Sequence, residues 1–218
     1  TDLILQAFAQ AANDIMMDDG YPNYKSLVQA REIGTSLASP DSPLCPSTPP
    51  FQIYPTVGSA DENGVCVQAT LVDHRQVYPA FAYRFNTPDG SVVFSGDTGP
   101  NTTDNRERPE GDPALANGNL QVLADGADIL VHEVIDTAWV NVKFPNESMA
   151  ALKTHMLKAH TQIERVGQVA ADCNVKTLVI NHIIPGMAPL SQLRKAQQNF
   201  PGRLIISEDL MRIGVSSA

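Results

Sequence analysis

Three residues stand just past short apolar runs and carry side chains that bind metals. His74 follows Ala69-Thr70-Leu71-Val72-Asp73, Asp97 follows Val92-Val93-Phe94-Ser95-Gly96, and His182 follows Thr177-Leu178-Val179-Ile180-Asn181. Imidazole and carboxylate together suit zinc, manganese or iron. Asp97 sits between Gly96 and Thr98-Gly99, so a strand there delivers an acid into a glycine-lined loop. Sites in open α/β sheets collect at the carboxyl ends of strands. A single histidine is more often a structural or surface residue; the joint pattern is what points to a metal. It points to only part of a metal site.

The elements that must position these residues change character along the chain. Residues 3 to 17 are rich in Ala and Leu and predict a helix that Gly20 and Pro22 end, with a second short helix over Tyr24 to Glu32. Five prolines between residues 39 and 50 predict a loop. Phe51 to Val57, Val65 to Val72, Ala80 to Phe85 and Ser91 to Ser95 are rich in β-branched and aromatic residues. Asp61-Glu62-Asn63-Gly64 and Pro88-Asp89-Gly90 are turn signals between them, which predicts an antiparallel meander ending at Asp97.

After a polar loop from Thr98 to Pro113, helices and strands alternate. The pattern predicts a weak helix over Pro113 to Ala124, a strand over Ile129 to His132 and a helix over Thr161 to Cys173. Thr161 and Glu164 form a capping box for that last helix. A strand over Thr177 to Asn181, a helix over Leu190 to Phe200, a strand over Leu204 to Ser207 and an edge strand over Met211 to Val215 follow. Such alternation implies a sheet with at least one helix-covered face.

The 218 residues suffice for one sizeable core or two small ones. Hydrophobic content of 43% and charged content of 18% are globular values. No apolar run approaches the roughly 20 residues that cross a bilayer, so no membrane is expected. Thr1-Asp2-Leu3 opens without a signal peptide's basic region, which a mature secreted protein also lacks. The net charge of −9, from 15 basic and 24 acidic residues, and the lack of Lys/Arg clusters argue against nucleic acid as a partner. Cys45 and Cys66 flank a proline-containing stretch. A disulfide between them would suit a periplasmic or secreted protein, whereas two free thiols would fit the cytoplasm as well.

Five motifs in order resemble the metallo-β-lactamase-fold hydrolases, in the branch that holds ribonuclease Z and related arylsulfatases. Val72-Asp73-His74, followed by Pro79-Ala80-Phe81-Ala82-Tyr83-Arg84-Phe85, resembles the third-motif histidine and its strand. Phe94-Ser95-Gly96-Asp97-Thr98-Gly99 resembles the bridging-aspartate motif. Ala127-Asp128-Ile129-Leu130-Val131-His132-Glu133 resembles the "His-Glu-Ala-Thr" element, with Val134-Ile135 in place of Ala-Thr. Lys158-Ala159-His160-Thr161 resembles the "His-Ser-Thr" element, and Leu178-Val179-Ile180-Asn181-His182-Ile183-Ile184-Pro185 the last-ligand strand. The match covers roughly residues 65 to 216.

The resemblance implies an α+β fold, an αββα metallo-β-lactamase sandwich of which this chain carries mainly the C-terminal half. Residues 51–218 would form that half, and residues 1–50 a helical and loop segment capping the site. It implies two divalent metal ions, zinc ahead of manganese or iron. His74 would bind one, His182 the other, and Asp97 would bridge them to hold an attacking hydroxide. Glu133 and His160 would form a proton-delivery pair at the leaving group. His132 and His155 take no role: His132 packs beside its strand and His155 lies in a mobile stretch before a helix.

The implied activity is hydrolysis of a small ester, whether phosphodiester, sulfate ester or lactone. The alternatives are a non-catalytic or degenerate binding domain and a ribonuclease Z-like endoribonuclease. The family's His-x-His-x-Asp-His motif is absent, since no histidine precedes His74. A fragment of a longer domain is therefore expected, with the N-terminal half as its partner, and the partner set leaves room for a homodimer.

Overall fold

A computed structural model describes residues 48–55, 63–75, 79–99, 118–145 and 149–215, together with residues 9, 14, 20, 33, 61 and 77. The chain divides into two compact units, Thr1–Ser36 and Leu37–Ala218. The expected helix over residues 3 to 17 lies outside the described residues apart from Ala9 and Asp14, both helical. The expected helix over Tyr24 to Glu32 lies outside them altogether.

Among the described residues of the second unit, seven strands form one sheet in chain order. They are β1 (Phe51–Tyr54), β2 (Cys66–Leu71), β3 (Phe81–Thr87), β4 (Gly90–Phe94), β5 (Ile129–Ile135), β6 (Thr177–Ile184) and β7 (Arg203–Ile206). The expected meander is present: β1 to β4 pair antiparallel. From β4 to β7 every pairing is parallel. Strands β2, β4, β5, β6 and β7 therefore all run in one direction. Their carboxyl ends share one edge, and His74, Asp97, Glu133 and His182 are all carried there.

Alternate residues face opposite sides of the sheet. One side presents Ala82, Val93, Leu130, Leu178 and Ile180 to helix α1 (Asn119–Ala124) and helix α4 (Ile163–Asp172). The stripe read from sequence, Ile163, Val166, Val169, Ala170 and Cys173, is fully buried there. The opposite side carries a continuous row, Phe51, Ala69, Tyr83, Phe94, Val131, Val179 and Ile205, one residue from each strand. Phe94 on this row is 43% exposed and meets Phe85 edge-to-face at 5.8 Å.

Several boundaries differ from expectation for identifiable reasons. Helix α2 (Thr137–Lys143) starts at Asp136, whose carboxylate accepts from the backbone N–H of Ala138 and Trp139. Helix α3 (Ala150–Ala159) contains His155, so that residue is helical rather than in a mobile stretch. Only Ala159 of α3 is fully buried, so no apolar period announces the helix. The capping box at Thr161 does not form: Gln162 is the N-cap of α4 and makes no side-chain cap bond. The Thr161 hydroxyl instead donates to the Thr98 carbonyl at 2.8 Å.

The helix expected over Leu190 to Phe200 is one turn, α5 (Leu190–Leu193), running into a 3₁₀ turn (Arg194–Gln197). Residues 211–215 form no strand; a turn at Leu210 (φ 64°) precedes them. No described helix is long and apolar enough to cross a membrane.

Cys66 and Cys173 are free thiols, so Cys66 is not in the disulfide that sequence left open; Cys45 lies outside the described residues. Burial pushes the Cys173 thiol up to about 12, aided by the charges of Asp172 and Asp125. The thiolate is the reactive form. Cys173 should therefore resist alkylation at neutral pH in the folded protein, and peptide mass spectrometry should find it labelled only on unfolding. Labelling as fast as a small-molecule thiol would contradict its burial.

Candidate active site

Each site residue is delivered by a distinct backbone device at the carboxyl edge of the sheet. At the end of β4, Gly96 takes φ 62°, and a Cβ there would stand 2.8 Å from the Phe81 carbonyl oxygen. Only glycine fits this turn, which brings Asp97 out of the strand. At the end of β6 the β5–β6 register slips: Glu133 pairs with Asn181 and Val134 with Ile183. His182 is the extra residue of that bulge and has φ 39°. A bulge re-aims a side chain that regular pairing would fix. His182 Nδ1 comes to 3.3 Å from Asp97 Oδ1, with both side chains partly exposed.

The loops after β2 and β4 are tied together by the Asp73 carbonyl, which accepts from Gly99 N–H at 2.8 Å. The Asp73 carboxylate accepts from the Arg75 N–H at 2.9 Å. Gly99 in turn packs on α3: a Cβ at this position would lie 2.6 Å from the Lys158 carbonyl oxygen. The last carbonyls of a helix need partners from outside it. Arg75 Nε donates to Lys158 O at 3.4 Å, and His74 Nδ1 lies 3.1 Å from Ala159 O. A carbonyl only accepts, so His74 carries its proton on Nδ1 and keeps the Nε2 lone pair free.

Glu133 is 1% exposed at the carboxyl end of β5. Its Oε1 accepts from two backbone N–H groups, Thr161 at 2.9 Å and Thr98 at 3.2 Å. One carboxylate thus joins three chain segments, and such charge-assisted bonds are among the stronger kind. Glu133 Oε1 also lies 3.3 Å from His160 Nδ1. That approach is within ion-pair range but is not an aligned hydrogen bond, and His160 Nδ1 and Glu133 Oε2 are both buried without a hydrogen-bond partner. His160 itself is 5% exposed, held at the end of α3 where residues 160–162 run beside the tip of β5.

The structure sorts the expected residues into two adjoining groups. Asp97 and His182 form one pair. His74 instead meets His160 at a ring separation of 5.1 Å and His155 at 5.3 Å. His160 stacks on His182 at 6.0 Å and so links the groups. Sequence reasoning passed over His155, which is five residues before His160 and gains its meaning only where α3 meets the loop after β2. Burial, with the neighbouring His74 and His160, holds its pKa below the ordinary imidazole value.

His132 is fully buried, with Nδ1 2.7 Å from the Glu133 carbonyl oxygen. Burial lowers its pKa, against the opposing pull of the Glu133 charge. The unfolded chain therefore takes up this proton first, and stability is lost as pH falls below the unfolded value of about 6.5. One proton contributes a slope of at most about 1.4 kcal/mol per pH unit. Urea unfolding at pH 7.5 and 5.5 should show the loss, and a folded His132→Leu variant should show a shallower one. An equal loss in both proteins would assign the slope elsewhere.

No protein-family model matches the chain. The chain is 30% identical over 190 residues to a ribonuclease Z of Mycobacterium sp. (strain KMS), covering 85% of this chain and 59% of that protein. It is also 30% identical over 172 residues to a ribonuclease Z relative of Mycobacterium tuberculosis (strain CDC 1551 / Oshkosh), covering 77% of this chain and 67% of that protein. The chain belongs to the ribonuclease Z family.

Solved structures with partial likeness include a metallo-beta-lactamase fold protein, YhfI, from Bacillus subtilis. Its TM-score is 0.45 at 14% identity, over 68% of this chain and 49% of that one. Human tRNase Z, short form, gives a TM-score of 0.43 at 19% identity, over 72% and 45%. The chain spans 59% of the length of the first ribonuclease Z relative above. Among the described residues the site is the carboxyl edge of β2, β4, β5 and β6, closed by the end of α3.

Proposed function

We propose that the protein is a metal-dependent hydrolase that cleaves an ester at this sheet edge. The observation that carries the reading is the convergence of His74, Asp97, Glu133, His160 and His182 from four strand ends and one helix end. The donor set fits divalent ions of the zinc class. His74 is locked in the tautomer that leaves Nε2 open, and Asp97 and His182 stand together in reach of solvent. His74, Asp97 and His182 would hold the metal. Bound there, divalent ions supply Lewis acidity and a water acidified towards neutral pH.

The chain's own side chains do the rest. Glu133 holds Thr98 and Thr161 by their N–H groups and stands behind His160. Glu133 faces the Nδ1 edge of that ring, so a proton on the far nitrogen, Nε2, can be passed to the departing oxygen. The near-complete burial of Glu133 and His160 keeps bulk water from that exchange.

The relatives' name and the site both support a phosphodiester as the substrate class. Phosphodiesters suit a site that pairs metal ions with a proton donor for the leaving oxygen, and the ribonuclease Z relatives favour an RNA phosphodiester as the second reading. The charge of −9 argued against nucleic acid, but it belongs to a chain spanning 59% of the first relative and does not exclude a basic surface on further sequence. The apolar row with exposed Phe85 and Phe94 supports a further segment packed on that sheet face, where the rest of the sandwich would sit.

Assays with bis(p-nitrophenyl) phosphate and with a precursor tRNA carrying a 3′ trailer test both readings. Release of nitrophenol that stops on chelation supports the esterase, and trailer removal supports the endoribonuclease. Binding of metal without turnover of either would leave a non-catalytic domain.

A further inference from the structure

We propose that His155 joins His74 and His160 in a three-imidazole site for one zinc-class ion, separate from the Asp97–His182 pair. One ring nitrogen of each residue lies within 4.8 Å of the other two. Three nitrogens bound to one zinc at about 2.0–2.1 Å stand roughly 3.4 Å apart. Side-chain rotations of about 1 Å therefore close the set. A site of imidazoles without a carboxylate selects zinc, copper, nickel or cobalt over magnesium and calcium.

The groups behind the rings suit this use. The Ala159 carbonyl engages Nδ1 of His74, and Glu133 stands against Nδ1 of His160, which leaves Nε2 of each ring free. A carbonyl or carboxylate behind a ligating histidine fixes its tautomer and raises its basicity. All three rings also gather at the carboxyl end of α3, a ten-residue helix whose dipole favours a cation there.

The consequence for activity rests on the hydrolase reading. An ion in this position occupies His160, the proposed proton donor, and takes up the His74 nitrogen that the hydrolase reading assigns to the catalytic metal. Zinc beyond the catalytic requirement should therefore inhibit.

Cobalt titration of a His155→Cys protein tests the site directly. The proposal expects a thiolate-to-cobalt charge-transfer band in the near ultraviolet, retained when Asp97→Ala is added. It expects His155→Gln to weaken zinc binding by at least about tenfold and to raise the half-inhibiting zinc concentration by a similar factor. Absence of the band from folded His155→Cys, shown folded by circular dichroism, would overturn the proposal, as would its loss on adding Asp97→Ala. Failure of the hydrolase reading appears differently, as the band without turnover of any ester.

Discussion

Replacing Asp97 with alanine should lower hydrolysis by about a thousandfold or more while leaving the fold intact. Asp97 is partly exposed and lies past β4, so its removal opens no core cavity. What it removes is the carboxylate that stands with His182. Metal-ion stabilisation of developing charge is worth several kcal/mol, and about 1.4 kcal/mol is a factor of ten in rate. Metal content should fall with activity, and thermal unfolding should stay within a few degrees of the parent. A variant that keeps both its metal and its turnover would remove Asp97 from the site.

Glu133 should behave in the opposite way, as a residue whose loss is felt first in stability. Alanine there leaves the Thr98 and Thr161 N–H groups buried without an acceptor. Each such orphan costs about 1–3 kcal/mol, so Glu133→Ala is expected to lose roughly 3–5 kcal/mol. Glu133→Gln keeps an amide oxygen that can accept both bonds and should retain most of that stability. It removes the charge behind His160, so its activity should still fall, by about a hundredfold or more. Urea unfolding and turnover measured on both variants separate the two roles. Equal destabilisation of the glutamine and alanine forms would show that charge, not the bonds to Thr98 and Thr161, holds the three segments.

The sheet was legible because its strands are short, β-branched and punctuated by strong turns. Pro88-Asp89-Gly90 marks the β3–β4 hairpin, where Thr87 pairs with Gly90. The placement of His74, Asp97 and His182 at the carboxyl ends of strands was legible for the same reason, since each follows an apolar run that had to be a strand. Helix α4 announced itself through a stripe that is buried in full. The helices at the rim did not. Helix α2 depends on one cap at Asp136, and α3 buries a single residue fully, so neither writes an apolar period into the chain.

Thr161 shows why a local rule failed. Its spacing to Glu164 fits a capping box, but its N–H and hydroxyl are taken by Glu133 and Thr98, both distant in sequence. His155 was illegible for a similar reason: its neighbours His74 and His160 come together only through the hydrogen bonds between the loop after β2 and the carbonyl end of α3. The bulge that lifts His182 from its strand is likewise a product of β5–β6 pairing, not of the residues around it.

On the proposed reading, metal held at this edge supports ester hydrolysis. The most direct measurement is turnover of bis(p-nitrophenyl) phosphate by the purified protein, stripped of metal and reloaded with zinc, beside Asp97→Ala treated identically. Turnover that vanishes on stripping, returns with zinc and stays absent in the variant is the predicted result. Turnover that survives stripping, or that the variant shares, would contradict it.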